Sequence, residues 1–229
     1  MQPMIRTHQL VYAYSMGPTL VFPDVDVAQG TVLLLSGPSG CGKSTWLALA
    51  AGLMAPTSGE MTVVDQSPGT LKNIAADAWR AKTIGFLPQK MYLSAALTVR
   101  QNLAIAQWAA GQPEDVVQID AALQALGVQE LAQRKPAQLS GGQAQRVALA
   151  RAVLLQPRVI LVDEPTASLD DEAAADALGL LLNTARSRGA TLVIATHDRR
   201  VQALLSSGAM AAAELRSLQL ARSSRQSQT

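Results

Sequence analysis

Cysteine is almost absent from the sequence, since Cys41 stands alone among 229 residues. A single cysteine excludes a framework of internal disulfides and a zinc site built from several thiolates. Chains without disulfides are typical of reducing compartments, so we expect a cytoplasmic protein.

Long hydrophobic segments are also missing. The longest apolar runs, such as residues 46–55, are well short of the roughly 20 residues that a membrane-spanning helix needs. Residues 1–14 contain Arg6 and His8 with no apolar stretch after them, so we expect no secretory signal. If the protein acts at a membrane, another chain must supply the spans.

Charge and aromatic side chains are scarce. The net charge of +2 is too small to indicate nucleic acid or anionic lipid as the main partner, and we expect no nucleic-acid partner. Aromatic residues make up 3% and hydrophobic residues 48%, so the core must consist mostly of Ala, Leu and Val. This hydrophobic content excludes a disordered or collagen-like chain.

The order of apolar segments predicts an α/β fold. Residues 31–36, 159–162 and 191–195 have the continuous apolar character of buried strands. Parallel strands that alternate with helices form a doubly wound sheet, here interrupted by a helical insert. Further strands are predicted at 5–14 (as an edge strand), 24–27, 60–64 and 83–87, and helices at 43–53, 99–110, 115–126, 142–155 and 171–188.

A glycine-rich loop joins the strand at 31–36 to the helix at 43–53. Its sequence, GPSGCGKST, fits the phosphate-binding pattern G-x-x-x-x-G-K-S/T; the alternative is a glycine turn before a structural helix. Glycines let backbone N–H groups wrap phosphates, and the helix N-terminus adds partial positive charge. Lys43 is placed to reach the β and γ phosphates, and Ser44 to ligate Mg²⁺. The predicted nucleotide-binding residues are Gly37, Pro38, Ser39, Gly40, Cys41, Gly42, Lys43, Ser44 and Thr45.

Two acidic residues, Asp163 and Glu164, follow the buried strand at 159–162. Ligands of open α/β sheets bind at this edge, beside the phosphate loop. We expect Asp163 to hold Mg²⁺ and Glu164 to position or deprotonate the attacking water. Taken alone, the pattern also fits a strand that ends in a solvated acidic turn.

A second anion-binding pattern, LSGGQ, occupies residues 139–143. Ser140 fits a helix N-cap, and two glycines after it leave bare N–H groups at the helix N-terminus. A single phosphate loop needs only one such set of N–H groups. This second set must therefore bind a nucleotide that is held elsewhere. Taken alone, the run also fits an ordinary capped helix.

These motifs, in this order over about residues 5–205, resemble the nucleotide-binding subunits of ATP-binding cassette (ABC) transporters. The resemblance implies a P-loop NTPase with a RecA-like parallel-sheet core, an N-terminal antiparallel β subdomain and an inserted α-helical subdomain. We expect a single domain over residues 1–229, with the core at 1–89 and 157–206, the helical subdomain at 90–156 and a disordered tail at 223–229.

The resemblance also implies a dimer. In that family the LSGGQ run binds the γ-phosphate of the partner subunit's ATP, so two identical chains are expected to sandwich two nucleotides head to tail. Residues 168–170 match the loop that crosses the dimer interface, and they also fit a plain N-cap. The ATP contacts expected from this side are Ser140, Gly141, Gly142, Gln143 and Asp170.

Three more residues match the family pattern. Gln89 matches the glutamine that reaches Mg²⁺ and the attacking water, and His197 matches the histidine that contacts the γ-phosphate. Tyr14 resembles the aromatic that stacks on adenine, with Tyr12 as its competitor, and either can belong to the core. The expected catalytic residues are Glu164, His197, Gln89 and Lys43, and the expected Mg²⁺ ligands are Ser44, Gln89 and Asp163.

The implied function is ATP hydrolysis that powers a separate transmembrane permease from the cytoplasmic face of the cell membrane. Residues 90–103 are expected to face the permease through Met91, Tyr92 and Leu93, which also fit the core of the helical insert. Residues 79–86 look like the lipoprotein-releasing and macrolide-export group, whose members extrude or transmit force. Importers share much of this pattern, and a signalling module that regulates a membrane partner is a further alternative.

The resemblance weakens after His197. The family continues to a strand with an Asp-Arg pair and a glycine turn, whereas residues 206–218 are shorter and rich in alanine. The sequence therefore does not support the family's last strand.

Overall fold

The computed structural model describes residues 3–167, 169–206 and 214–221, which form two sheets with helices around them. Ser168 and the tail predicted at 223–229 lie outside these described residues. Within these ranges, none of the helices combines the length and the hydropathy that a bilayer crossing demands.

The larger sheet is parallel, and in the described ranges its strand order is β6-β7-β8-β4-β9. Every residue of the central strands β4, β7 and β8 is buried, which explains their continuous apolar sequences. The three buried strands predicted from sequence are therefore confirmed. The bounds are β4 (Val32–Ser36), β6 (Ile84–Leu87), β7 (Val159–Asp163), β8 (Thr191–Thr196) and β9 (Leu215–Gln219).

Alternate side chains of these strands pack into different cores on the two faces of the sheet. In β4, Val32 and Leu34 contact one core, and Leu33 and Leu35 contact the other. Helices α3 to α6 supply the first core, and helix α1 supplies Trp46 and its neighbours to the second. The bounds are α1 (Lys43–Ala50), α3 (Val99–Ala109), α4 (Val116–Ala125), α5 (Gly141–Val153) and α6 (Asp171–Ser187).

An antiparallel sheet flanks the phosphate loop. Its strand β1 (Ile5–Ala13) pairs with β2 (Thr19–Val21), β3 (Val25–Val27) and β5 (Ser58–Val63). The prediction of β1 as an edge strand is wrong, because β1 has partners on both sides. Its mixed polarity reflects one buried and one exposed face, since its buried and exposed residues alternate at the start.

The helices predicted at 99–110, 115–126 and 142–155 are confirmed as α3, α4 and α5. Their starts follow local capping chemistry. Thr98 and Gln101 form a capping box at α3, and Asp115 accepts the Gln118 N–H at α4.

Several elements differ from the sequence-based prediction. Helices α2 (Asn73–Thr83) and α7 (Arg199–Ser206) were not predicted, and Thr83 ends α2 instead of opening a strand. The final strand, which the sequence did not support, is present as β9 and pairs in parallel with β4. Within β9 only Leu218 is buried, so this edge strand lacks the apolar run that marks the central ones. Residues 207–213, which precede it, lie outside the described ranges.

Candidate active site

The carboxyl ends of the central parallel strands meet at a cavity of about 310 Å³. Loops from both sheets border it, so residues far apart in sequence converge there. The lining residues are Tyr14, Pro18, Leu20, Ser39, Gly40, Gly42, Lys43, Ser44, Thr45, Gln89, Glu164 and His197.

Lys43 places a positive charge at the floor of this cavity. Only 7% of the residue is exposed, and its Nζ donates to the carbonyl of Gly37 at 3.0 Å and to that of Pro38 at 3.4 Å. Its Nζ also lies 3.6 Å from Glu164 Oε1. The Lys43 ammonium therefore already points across the loop, where a hydrogen bond to a carbonyl can be replaced by one to a phosphate oxygen.

The backbone of the loop requires glycine at two of its turns. Gly40 has a φ of 78° and Gly42 a φ of 100°, both in the left-handed region that favours glycine. Such a conformation turns successive N–H groups toward one side of the loop, which is the arrangement that binds anions.

Ser44 and Asp163 form the second feature of the site. Ser44 Oγ donates to Asp163 Oδ2 at 2.7 Å, while the buried Asp163 Oδ1 has no hydrogen-bond partner anywhere in the described part of the chain. Burial raises the pKa of the Asp163 carboxyl, and the hydrogen bond from Ser44 opposes that rise. An unpaired carboxylate oxygen beside a hydroxyl is a donor set that fits Mg²⁺.

Glu164 and His197 form the third feature. Glu164 Oε1 lies 2.7 Å from His197 Nδ1, and Glu164 Oε2 accepts from Thr196 Oγ1 at 2.9 Å. The Glu164 side chain is 10% exposed, whereas that of His197 is 62% exposed. A largely shielded carboxylate held by two neighbours can accept a proton from a water that enters the cavity.

Tyr14 and Tyr12 occupy different positions. Tyr14 lines the cavity, and its hydroxyl is 2.7 Å from that of Thr45. Tyr12 is partly buried and packs against the core, and its ring meets that of Tyr14 edge to face at 4.8 Å. The structure therefore brings Tyr14, rather than Tyr12, to the cavity.

The Cys41 side chain does not reach the cavity. Its thiol is buried at 3% exposure and packs into the core beneath the loop. The Cys41 backbone N–H donates to the carbonyl of Pro38 at 3.3 Å. A role for this residue in nucleotide binding can therefore rest on its backbone alone.

The LSGGQ residues and Asp170 lie away from the lining. Ser140 and Asp170 cap α5 and α6, since each side chain accepts a backbone N–H three residues later. Ser140, Gly141, Gly142 and Asp170 are all exposed. Within a single chain, the LSGGQ residues and the phosphate loop therefore do not form one site.

The segment after Gln89 has a mixed character. Tyr92 is 72% exposed, whereas Met91 and Leu93 are partly buried and pack against the core. The alternative that these are core residues of the helical insert thus describes Met91 and Leu93 but not Tyr92.

Sequence reasoning missed three residues at the site. Pro18 and Leu20 line the cavity, and Thr196 holds Glu164. No sequence motif includes Pro18 or Leu20. Thr196 immediately precedes His197 in the sequence, and this position indicates a residue at the site.

Comparison with known proteins identifies the family. The family model described as ABC transporter matches residues 23–167, more than half of the chain. The lipoprotein-releasing system ATP-binding protein LolD of Idiomarina loihiensis is 36% identical over 201 residues, covering 85% of this chain and 88% of that protein. LolD of Anaeromyxobacter dehalogenans is 40% identical over 187 residues, covering 80% and 78%.

Solved structures show the same fold. MJ0796, described as a bacterial ABC transporter cassette in a dimeric structure, has a TM-score of 0.79 at 29% identity and covers 94% of both chains. The protein cbiO1 from Clostridium perfringens, part of the ABC transporter complex cbiONQ, has a TM-score of 0.81 at 26% identity and covers 96% of this chain and 87% of that one. The predicted P-loop NTPase fold is thus confirmed. The chain belongs to the ABC transporter family and is an ATP-binding and ATP-hydrolysing subunit of a transporter of that family.

Proposed function

We propose that this chain binds Mg-ATP in the 310 Å³ cavity and hydrolyses it as half of a head-to-tail homodimer that drives a separate permease. The observation that carries the proposal is the composition of the cavity. Lys43, Ser44, Glu164 and His197 line this cavity, and Asp163 is joined to it through the hydrogen bond from Ser44, so a phosphate site, a metal site and a base lie together.

Each residue has a distinct part in the proposed reaction. Ser44, Asp163 and Gln89 would hold Mg²⁺, and the bound ion would supply positive charge to the phosphate oxygens. Lys43 binds the β and γ phosphates, and Glu164 orients the attacking water and accepts its proton. His197 contacts the γ-phosphate.

The second subunit completes the site in this proposal. Ser140, Gly141, Gly142 and Gln143 of one copy contact the γ-phosphate held by the other, and Asp170 lies in the loop that crosses between the copies. Two observations support this arrangement. The α5 N-terminus is exposed and does not line the cavity of its own chain, and the similar cassette MJ0796 is described as dimeric.

We further propose a membrane permease as the partner, engaged from the cytoplasmic side through residues 90–103. The exposed ring of Tyr92 supplies an apolar contact on this segment. The relatives named as lipoprotein-releasing proteins favour an export or mechanotransmission role over import. The division into a core and a helical subdomain at residues 90–156 stays a prediction.

The partner assignment predicts recovery of a polytopic protein. Tagged Glu164→Gln chain with ATP, incubated with detergent-solubilised native membranes, is expected to capture a permease that mass spectrometry identifies. Tyr92→Ser is the matched variant, and it should reduce the yield because it removes the exposed ring. Recovery of soluble partners alone would contradict the transporter role and favour a soluble ATPase switch.

The adenine contact gives a second prediction. Tyr14→Ala should weaken Mg-ATP binding by about 2- to 13-fold, the value of an aromatic stacking contact. Tyr14→Phe keeps the ring and should bind ATP nearly as well as wild type, although it loses the hydroxyl contact with Thr45. Titration with a fluorescent ATP analogue measures both variants. If Tyr12→Ala loses more ATP affinity than Tyr14→Ala while its Tm stays unchanged, Tyr12 has the stacking role instead.

A further inference from the structure

The loop between Glu164 and α6 is held by side chains that the proposed reaction does not use. We call its described residues, 165–167 and 169–170, the interface loop. Thr166 Oγ1 donates to Asp198 Oδ2 at 2.8 Å. Arg200 Nη1 donates to the Leu169 carbonyl at 3.2 Å and to Asp171 Oδ1 at 2.7 Å. Both ends of the loop are therefore fixed to residues that follow His197.

Asp198 and Arg200 are themselves tightly paired. Arg200 Nη2 donates to Asp198 Oδ2 at 2.8 Å, and Arg200 Nε lies 3.1 Å from each carboxylate oxygen. Hydrogen bonding from the Arg200 side chain lowers the pKa of Asp198 to about 2, and the hydrogen bonds to Asp198 and Asp171 raise the pKa of Arg200. Both groups are therefore charged at neutral pH.

The pair is also connected to the base of the active site. The Asp198 N–H donates to Thr196 Oγ1 at 3.0 Å, and Thr196 Oγ1 donates in turn to Glu164 Oε2 at 2.9 Å. A chain of hydrogen bonds thus runs from Glu164 through Asp198 and Arg200 to the interface loop. His197, which lies between Thr196 and Asp198 in sequence, is bound to the same chain through its contact with Glu164.

We propose that Arg200 is a positioning residue that fixes the interface loop relative to His197. The inference rests on the proposed function, in which His197 contacts the γ-phosphate and Asp170 lies at the dimer interface. Through Arg200, a shift of the segment 196–198 on nucleotide binding moves the loop that the second copy meets. One planar guanidinium holds a carboxylate, a backbone carbonyl and a second carboxylate together, which the compact ammonium of lysine does not reproduce.

The test separates this role from a general contribution to folding. In the Glu164→Gln background, Arg200→Gln and Arg200→Lys should weaken ATP-dependent dimerisation by about 2- to 30-fold in sedimentation experiments. Binding of a fluorescent ATP analogue to the monomer and Tm should stay near the parent values. Arg199→Gln is the matched control, because its side chain is exposed and has no hydrogen-bond or ion-pair partner among the described residues.

Hydrogen exchange provides a readout that does not depend on dimerisation. Without nucleotide, amides of residues 165–167 and 169–174 should exchange faster in Arg200→Gln than in Arg199→Gln. Equal exchange in the two variants, unchanged dimerisation, or equal losses of Tm, monomer binding and dimerisation would each overturn the positioning role. Failure of the Arg200-intact Glu164→Gln protein to dimerise contradicts the proposed function instead, and the exchange comparison then decides the role of Arg200.

Discussion

Glu164→Gln is expected to lower the kcat of ATP hydrolysis by about 10²- to 10⁴-fold and to leave ATP binding intact. Glutamine has the shape of glutamate, and its amide oxygen can still accept the hydrogen bond from Thr196 Oγ1. The amide cannot accept a proton from the attacking water. The cavity should therefore keep its geometry and its affinity for nucleotide while the chemical step fails.

The same substitution should change the assembly state. In the proposed cycle, hydrolysis removes the γ-phosphate contacts that bridge the two copies, so a variant that binds ATP without hydrolysing it accumulates as a closed dimer. Size-exclusion chromatography with and without Mg-ATP measures this shift, and phosphate release measures kcat. Glu130→Gln makes the same chemical change at an exposed position in the turn Gln129–Leu131 and should match wild type in both assays. Wild-type turnover by Glu164→Gln would remove Glu164 from the role of base.

Elements with a local signature were predictable from sequence. Strands β4, β7 and β8 are buried on both faces, so their apolar runs are continuous, and the phosphate loop follows one of them directly. The starts of α3 to α5 carry their own capping residues. In each case a few neighbouring residues determine the structure, and a single sequence contains that information.

Features that depend on long-range contacts were not predictable. Strand β9 exists because it pairs with β4, and its own sequence, LRSLQ, has no strand-like run. The contact of Arg200 with Leu169 and Asp171 joins residues about thirty positions apart. The inward orientation of Cys41 depends on a packed core beneath the loop, which no spacing pattern describes.

The second large effect concerns Lys43. Lys43→Ala is expected to weaken ATP binding by about 10- to 150-fold, because a hydrogen bond to a charged group contributes about 1.5–3 kcal/mol. The ammonium is almost fully buried at the cavity floor, so water does not screen its contact with phosphate as it does on the surface. In this structure the Gly37 and Pro38 carbonyls accept from two of its three N–H donors, which leaves the third for a phosphate oxygen.

A comparison of ATP with AMP tests which part of the nucleotide Lys43 binds. Because Lys43 reaches the β and γ phosphates, isothermal titration should show a large loss for ATP and little change for AMP, which keeps the adenine contact at Tyr14. Lys72→Ala removes an exposed lysine at the start of α2 and should leave both affinities unchanged. An equal loss for ATP and AMP in Lys43→Ala would mean that the substitution collapses the cavity. Unchanged ATP affinity would place the phosphates away from Lys43 and contradict the binding site proposed for this chain.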